Sequence, residues 1–243
     1  MAQLLSHTLQ QRITFLQSFR AFRAKHATRD LDMPLRWYHR HACLADATRD
    51  MPFDRQYLFH TAWAARILAD LRPTLHHDFS SLHLFAATVS AFIPVRYHEF
   101  RPAQMRLRGL TTHEADLLQL PYADASIESA SCLHVIEHLG LGRYGDPIDA
   151  HADRAAATEL ARVVRPGGSL LIATPVGQPR VEFNAHRVYS HRQVLELFPT
   201  LRLERSALIP DNARDGDVIE DAEEGFIDEQ TYACGCYYFR KAA

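Results

Sequence analysis

No glycine precedes Gly109 in this 243-residue chain, so any earlier loop that approaches a ligand closely must do so past a Cβ. The four cysteines, Cys43, Cys132, Cys234 and Cys236, form no Cys-x-x-Cys pair. That argues against a zinc ribbon or a disulfide framework and for reduced thiols. No apolar run is long enough to span a bilayer, and no secretory apolar segment follows the start. Neither sign of charge dominates: the net charge is −2 with fifteen histidines, which gives no global electrostatic case for nucleic acid. These absences predict a cytoplasmic protein without a nucleic-acid partner. What remains is globular, with 47% hydrophobic and 23% charged residues, enough for one sizeable core.

The first twenty-nine residues carry Arg12, Arg20, Arg23, Lys25 and Arg29 and no acid. With Ile13, Phe15, Leu16, Phe19 and Phe22 they predict a basic amphipathic helix. Packing on the domain is the ordinary use of such a helix; a membrane-surface helix and an organellar presequence are the alternatives. A peripheral membrane contact therefore stays open, as does a homodimer. The predicted boundary separates a helical extension, residues 1–54, from a domain over residues 55–243.

Within that domain strands and helices alternate. "FDRQYLFHTAWAARILADL" has helical periodicity, "TLHHDFSS" reads as a strand, "LHLFAATVSAF" as a helix, and "PVRYHEF", "GLTTHEADL" and "SIESASCL" as strands. "ADRAAATELARVV" is a helix stopped by "RPGG", "SLLIATPV" a buried-type strand, and "SHRQVLELF" a helix capped by Ser190. "LRLERSALI" and "TYACGCYYFRK" close the pattern as two strands. Such alternation predicts a doubly wound α/β sheet, which binds ligands in the crevice at the carboxyl ends of its strands. Residues 78–82, 99–102, 116–117 and those after Leu133 fall there.

"CLHVIEHLG" contains His-x-x-Glu-His, with His134, Glu137 and His138 spaced as in the inverted zinc-peptidase signature. That chemistry needs both histidines one turn apart on a long helix. Here His134 follows a predicted strand and a short turn runs into "GLGRYGDP", so no metal is expected. His134 then sits at the crevice mouth or packs, while Glu137 and His138 hold local structure. "GLGRYG" lacks the preceding strand and following helix of a dinucleotide fingerprint and reads as a loop over the site. In "GQPRVEFNAHRVYS", Arg180, Asn184, His186 and Arg187 offer directional donors for a sugar, carboxylate or phosphate. The acidic run "DGDVIEDAEEGFIDE" reads as a solvated loop, and Cys234 and Cys236 share one strand face, as core residues do.

The run "ADLLQLPYADASIESASCLHVIEHL" followed by "ARVVRPGG" resembles the class I S-adenosylmethionine-dependent methyltransferases, over roughly residues 70–241. "HVIEHLGLGRYGDP" with "FNAHRVYS" is similar to an uncharacterised methyltransferase-like subfamily met in bacterial polysaccharide gene neighbourhoods. The resemblance implies a Rossmann-like sheet of seven strands with the last antiparallel, and methyl transfer from S-adenosylmethionine to a small polar acceptor, a hydroxyl of a sugar-like molecule. It implies Glu99 on the ribose hydroxyls, Asp116 at the adenine amino group with Leu117 covering the ring, and Asp78, Ser80 and Ser81 beside the amino-acid part. His134 would be the base and His186 the second choice; Arg180, Asn184 and Arg187 would border the acceptor. The departure lies in "HHDFSSLH", where the family carries Gly-x-Gly. A non-catalytic scaffold on a degenerate methyltransferase fold is therefore the alternative, and a zinc hydrolase the third reading.

Overall fold

The computed structural model describes residues 2–26 and 33–243, which fall into two compact units, Met1–Phe53 and Asp54–Ala243. In the first, helix α1 (Ala2–His26) carries Arg12, Arg20, Arg23 and Lys25; Arg29 lies outside the described residues. Phe15 and Phe19 are half-buried along it, and Phe19 meets Trp37 edge-on at 4.9 Å. The Arg40 guanidinium stands over the Trp37 ring, 4.2 Å from its centre.

The second unit opens with α2 (Arg55–Leu71), whose first turn is capped by Asp54 accepting from the Tyr57 N–H. His60, Trp63, Ala64, Ile67 and Leu68, at helical spacing, form its buried face. Strands β1 (His76–Phe79), β2 (Val95–Glu99), β3 (Leu110–Glu114), β4 (Ile127–Leu133) and β5 (Val164–Val176) are parallel, in the order β3-β2-β1-β4-β5. Helix α3 (His83–Val89) joins β1 to β2, and α4 (Ala152–Val163) precedes β5. A short hairpin, β6 (Arg180–Glu182) and β7 (His186–Val188), leads into α5 (His191–Leu197), whose Ser190 and Gln193 make a reciprocal capping box. The sheet is completed by β8 (Leu201–Ile209), β9 (Ile219–Glu220) and β10 (Ala233–Lys241), with β10 inserted antiparallel between β5 and β8.

Three expectations need correction. The sheet has eight strands rather than seven, because Ile219–Glu220 adds an edge pair to β8. The acidic run is no solvated loop: it supplies β9 and helix α6 (Glu224–Glu229), anchored by buried Ile227. Residues 180–188, for which no strand is predicted, form the β6–β7 hairpin, turned by Asn184 at φ 61°.

Apolar side chains fill both faces of the sheet: Phe79, Ile127, Leu160, Ile172 and Phe198 on the α4–α5 side, and Trp63, Leu68, Phe85, Tyr97 and Leu171 on the α2–α3 side. All four residues of β1 are buried although three are polar. Most of this polarity is paired across the sheet: His76 bridges the Ser129 and Ser131 hydroxyls at 2.9 Å each, and Ser131 donates to one oxygen of Asp78 at 2.7 Å. A polar ladder therefore runs under the crevice.

Candidate functional site

The carboxyl ends of β1 to β4 bring the expected cofactor residues to one edge of the sheet. Glu99 ends β2, half-buried, with one oxygen accepting from the Phe100 N–H at 2.9 Å. Asp116, exposed beyond β3, accepts from the Leu118 N–H at 2.9 Å in an Asx turn. Leu117 turns inward to the core, and the neighbouring Leu118 is the exposed apolar side chain there.

Beyond β1, Ser80 has φ 58°, the left-handed backbone that glycine adopts at no cost. Its hydroxyl donates to the His98 carbonyl at 3.2 Å, while the buried Ser81 hydroxyl accepts from the Leu133 N–H at 3.0 Å. Both hydroxyls are thus spent on the scaffold, so the loop offers a ligand its backbone. Asp78 is fully buried, and burial pushes its carboxyl up to about 7, against the lowering bonds from Ser81 and Ser131. Its Oδ2 has no partner among the described residues.

After β4 the chain turns sharply: His134 takes φ 56° and residues Ile136–His138 make one tight helical turn. His134 Nδ1 lies 3.0 Å from Glu137 Oε1, and its Nε2 lies 3.2 Å from Cys234 Sγ on β10. The ring packs against Tyr57 at 5.4 Å and His60 at 4.8 Å, both from α2. Glu137 is fully buried with Oε2 unpartnered among the described residues. His138 donates from Nδ1 to the Ala185 carbonyl at 2.6 Å, and its Nε2 lies 3.8 Å from the same Glu137 Oε1. The two histidines of His-x-x-Glu-His therefore face the carboxylate between them and not the common metal position that a zinc-peptidase pair must share.

Around this turn the β6–β7 hairpin folds over. His186 is half-buried, 4.8 Å from the Tyr232 ring and 6.3 Å from His138, with Glu182 Oε2 3.1 Å from its Nε2. Burial holds its pKa below the ordinary histidine value, against the raising pull of Glu182. The three residues expected at the acceptor are used otherwise. Arg187 is buried, donating to the Leu139, Glu137 and Ala150 carbonyls, with Asp153 3.6 Å away. Arg180 is held by Glu182 and the Gln178 and Thr231 carbonyls, and Asn184 makes the hairpin turn. Their donors build the hairpin because the backbone oxygens of two loops meet there. The segment "GLGRYG" is likewise wound on one carboxylate: Asp146 accepts from the Gly140, Gly142 and Tyr144 N–H groups. Gly140 must be glycine, since its φ is 72° and a Cβ would lie 2.0 Å from the Asp149 carbonyl oxygen.

Tyr57, His60, Tyr232 and Cys234 border the turn without having been singled out for it. Their signal was present but weak: His60 interrupts the otherwise apolar buried stripe of α2, and Cys234 stands one residue inside β10.

Comparisons with known proteins agree with this architecture. Residues 104–201 match a family model described as "Caenorhabditis protein of unknown function, DUF268". No curated protein matches the sequence. Among solved structures, the N-methyltransferase NodS from Bradyrhizobium japonicum, in complex with S-adenosyl-L-homocysteine, is similar with a TM-score of 0.56 and 15% identity, covering 80% of this chain and 90% of that one. The 1,6-didemethyltoxoflavin-N1-methyltransferase of Burkholderia thailandensis, with 1,6-didemethyltoxoflavin and S-adenosylhomocysteine bound, gives 0.55 and 14%, covering 76% and 79%. At such identities the likeness is one of fold: the chain has the fold of the class I methyltransferases, with an eighth strand at its edge.

Proposed function

We propose that the protein is an S-adenosylmethionine-dependent methyltransferase acting on a small polar acceptor, with the hydroxyl of a sugar-like molecule as the first class to test. The observation that carries the reading is the Glu99 carboxylate, half-buried at the carboxyl end of β2 in a sheet of this order. An acceptor-only group there suits a ribose diol. The backbone supports it too, since Ser80 holds the left-handed turn that a glycine would otherwise provide. The sugar-like acceptor comes from the resemblance of "HVIEHLGLGRYGDP" and "FNAHRVYS" to the polysaccharide-neighbourhood subfamily.

The cofactor, when bound, supplies a methyl group already activated by sulfonium. The chain's own residues then have three tasks: hold the donor, orient the acceptor and take up its proton. Glu99 would hold the ribose, Asp116 the adenine amino group, and the backbone of Ser80 and Ser81 would line the amino-acid end. His186 is the better base than His134. Its ring is half-buried and its lowered pKa keeps it neutral near pH 7, with the Glu182 carboxylate 3.1 Å from Nε2. Both nitrogens of His134 already face Glu137 and Cys234.

The test is transfer of labelled methyl to a panel of hydroxylated acceptors. His186→Ala should lower turnover by roughly a hundredfold or more while leaving S-adenosylhomocysteine affinity unchanged; an unchanged rate would remove His186 from the reaction. A second reading, a binding protein on a degenerate methyltransferase fold, is favoured by Leu82, an exposed bulky residue two positions after Ser80 at the start of α3. Failure to bind S-adenosylhomocysteine would select it.

A further inference from the structure

We propose that His60, His134 and Cys234 form a transition-metal site, for which zinc is the ion that best suits the donor set. The three come from α2, the turn after β4 and β10, and one donor atom from each lies within 4.8 Å of the others. All three residues are buried. The sheet makes the meeting: the His134 N–H donates to the Ala173 carbonyl on β5, and Cys234 pairs with Pro175 on the same strand.

Hydrogen bonds fix which nitrogens are free to coordinate. His60 Nδ1 lies 2.6 Å from the Gln56 carbonyl, which only accepts, so Nδ1 carries the proton and Nε2 the lone pair. That Nε2 is buried and has no hydrogen-bond partner among the described residues. His134 repeats the pattern, with Nδ1 3.0 Å from the Glu137 carboxylate and Nε2 3.2 Å from Cys234 Sγ. Two lone pairs thus converge on a thiol while the outer N–H groups rest on a carbonyl and a carboxylate. Metal-ligating histidines are held in this way, with the tautomer set from behind. An orphaned buried acceptor is costly, and an ion between the three groups would satisfy it.

The donor set selects the ion. Two imidazoles and a thiolate suit zinc and exclude magnesium and calcium, which take oxygen ligands. Zinc bonds of about 2.0–2.1 Å to nitrogen and about 2.3 Å to sulfur put tetrahedral donors roughly 3.3–3.7 Å apart. The His134–Cys234 pair is already close, at 3.2 Å. His60 would draw in by about 1 Å relative to the 4.8 Å spread. Three protein ligands leave a fourth position for water or an acceptor atom, as in catalytic rather than structural zinc sites. This reverses the expectation of no metal, and it divides the His-x-x-Glu-His motif. His134 ligates, Glu137 orients it from behind, and His138 takes no part.

The test uses the full chain, stripped of metal and titrated with zinc and with cobalt as the spectroscopic probe. One zinc per chain and a thiolate-to-cobalt charge-transfer band are expected. Cys234→Ser should abolish the band, His60→Gln should weaken zinc binding, and Glu137→Gln should weaken it by roughly 10–100-fold. His138→Gln should leave it intact. A folded wild-type protein with no charge-transfer band and no stoichiometric zinc would overturn the site, whatever the folding of the variants. So would a band that survives Cys234→Ser or is lost in His138→Gln. Metal content and the cobalt spectrum do not depend on methyl transfer, so the two readings can fail separately.

Discussion

Arg187 donates to the Leu139, Glu137 and Ala150 carbonyls from a buried position, with Asp153 alongside. Removing such a group leaves oxygens and a carboxylate without their cation, and breaking a buried charged pair costs about 3–5 kcal/mol. Arg187→Ala should lower the unfolding free energy by that amount in urea titrations; a loss below about 1 kcal/mol, as for an exposed pair, would return Arg187 to the surface. Ser80 poses the opposite question. Its left-handed backbone costs a non-glycine residue about 1–2 kcal/mol, while its hydroxyl bond to His98 contributes about 0.5–1.5 kcal/mol. Ser80→Gly should therefore change stability by less than about 1 kcal/mol and tighten S-adenosylhomocysteine binding. A destabilised variant with unimproved affinity would mean that the Cβ is no obstacle. Neither role is visible in the sequence. The arginine within "NAHRVYS" looks like a ligand donor until the loops that surround it are known.

Elements were more legible than residues. The helices announced themselves by apolar spacing and caps, and Ser190 is such a case: its side chain accepts from the Gln193 N–H while Gln193 reaches back. Ser190→Ala should cost about 1 kcal/mol of stability, measurable as a shift in denaturant midpoint. The strands of the parallel sheet were readable for the same reason, as short buried runs between turns. The β6–β7 hairpin and β9 were not, because strands of three and two residues carry too few side chains to show a period. Helix α6 hid among acids whose apolar anchor, Ile227, counts only once the core above it is known. The candidate site was legible to the same extent. That Glu99 and Asp116 stand at strand ends is readable from the pattern, whereas the grouping of His60, His134 and Cys234 needs β10 beside β5, a long-range pairing no local pattern specifies.

At the scale of the whole molecule, the buried polar ladder makes stability depend on pH. Burial lowers His76 and His98 to about 3 and His77 to about 4, against an ordinary value of 6.5. Below pH 6.5 the unfolded chain therefore gains protons that the folded chain refuses, and stability falls as the pH falls. Asp78, raised to about 7 by burial, acts in the opposite sense: its contribution is full below its unfolded value and is lost as pH rises through 7. With His60, which burial on α2 also lowers to about 3, four histidines against one carboxyl leave a net uptake of about three protons on unfolding near pH 5, or about 4 kcal/mol of stability lost per pH unit. Urea midpoints should drop steeply between pH 6.5 and pH 5, and a flat profile would contradict the neutral, buried state of these rings.

Calorimetric titration of the purified chain with S-adenosylhomocysteine decides whether the crevice takes the cofactor. Binding in roughly the micromolar range or weaker, about 8 kcal/mol or less, is expected, because Ser80 keeps the backbone turn but adds a Cβ. Glu99→Ala should weaken it by about 1.5–3 kcal/mol, the worth of hydrogen bonds to a charged group. No heat from a folded protein at millimolar ligand, or equal affinity in Glu99→Ala, would contradict that expectation.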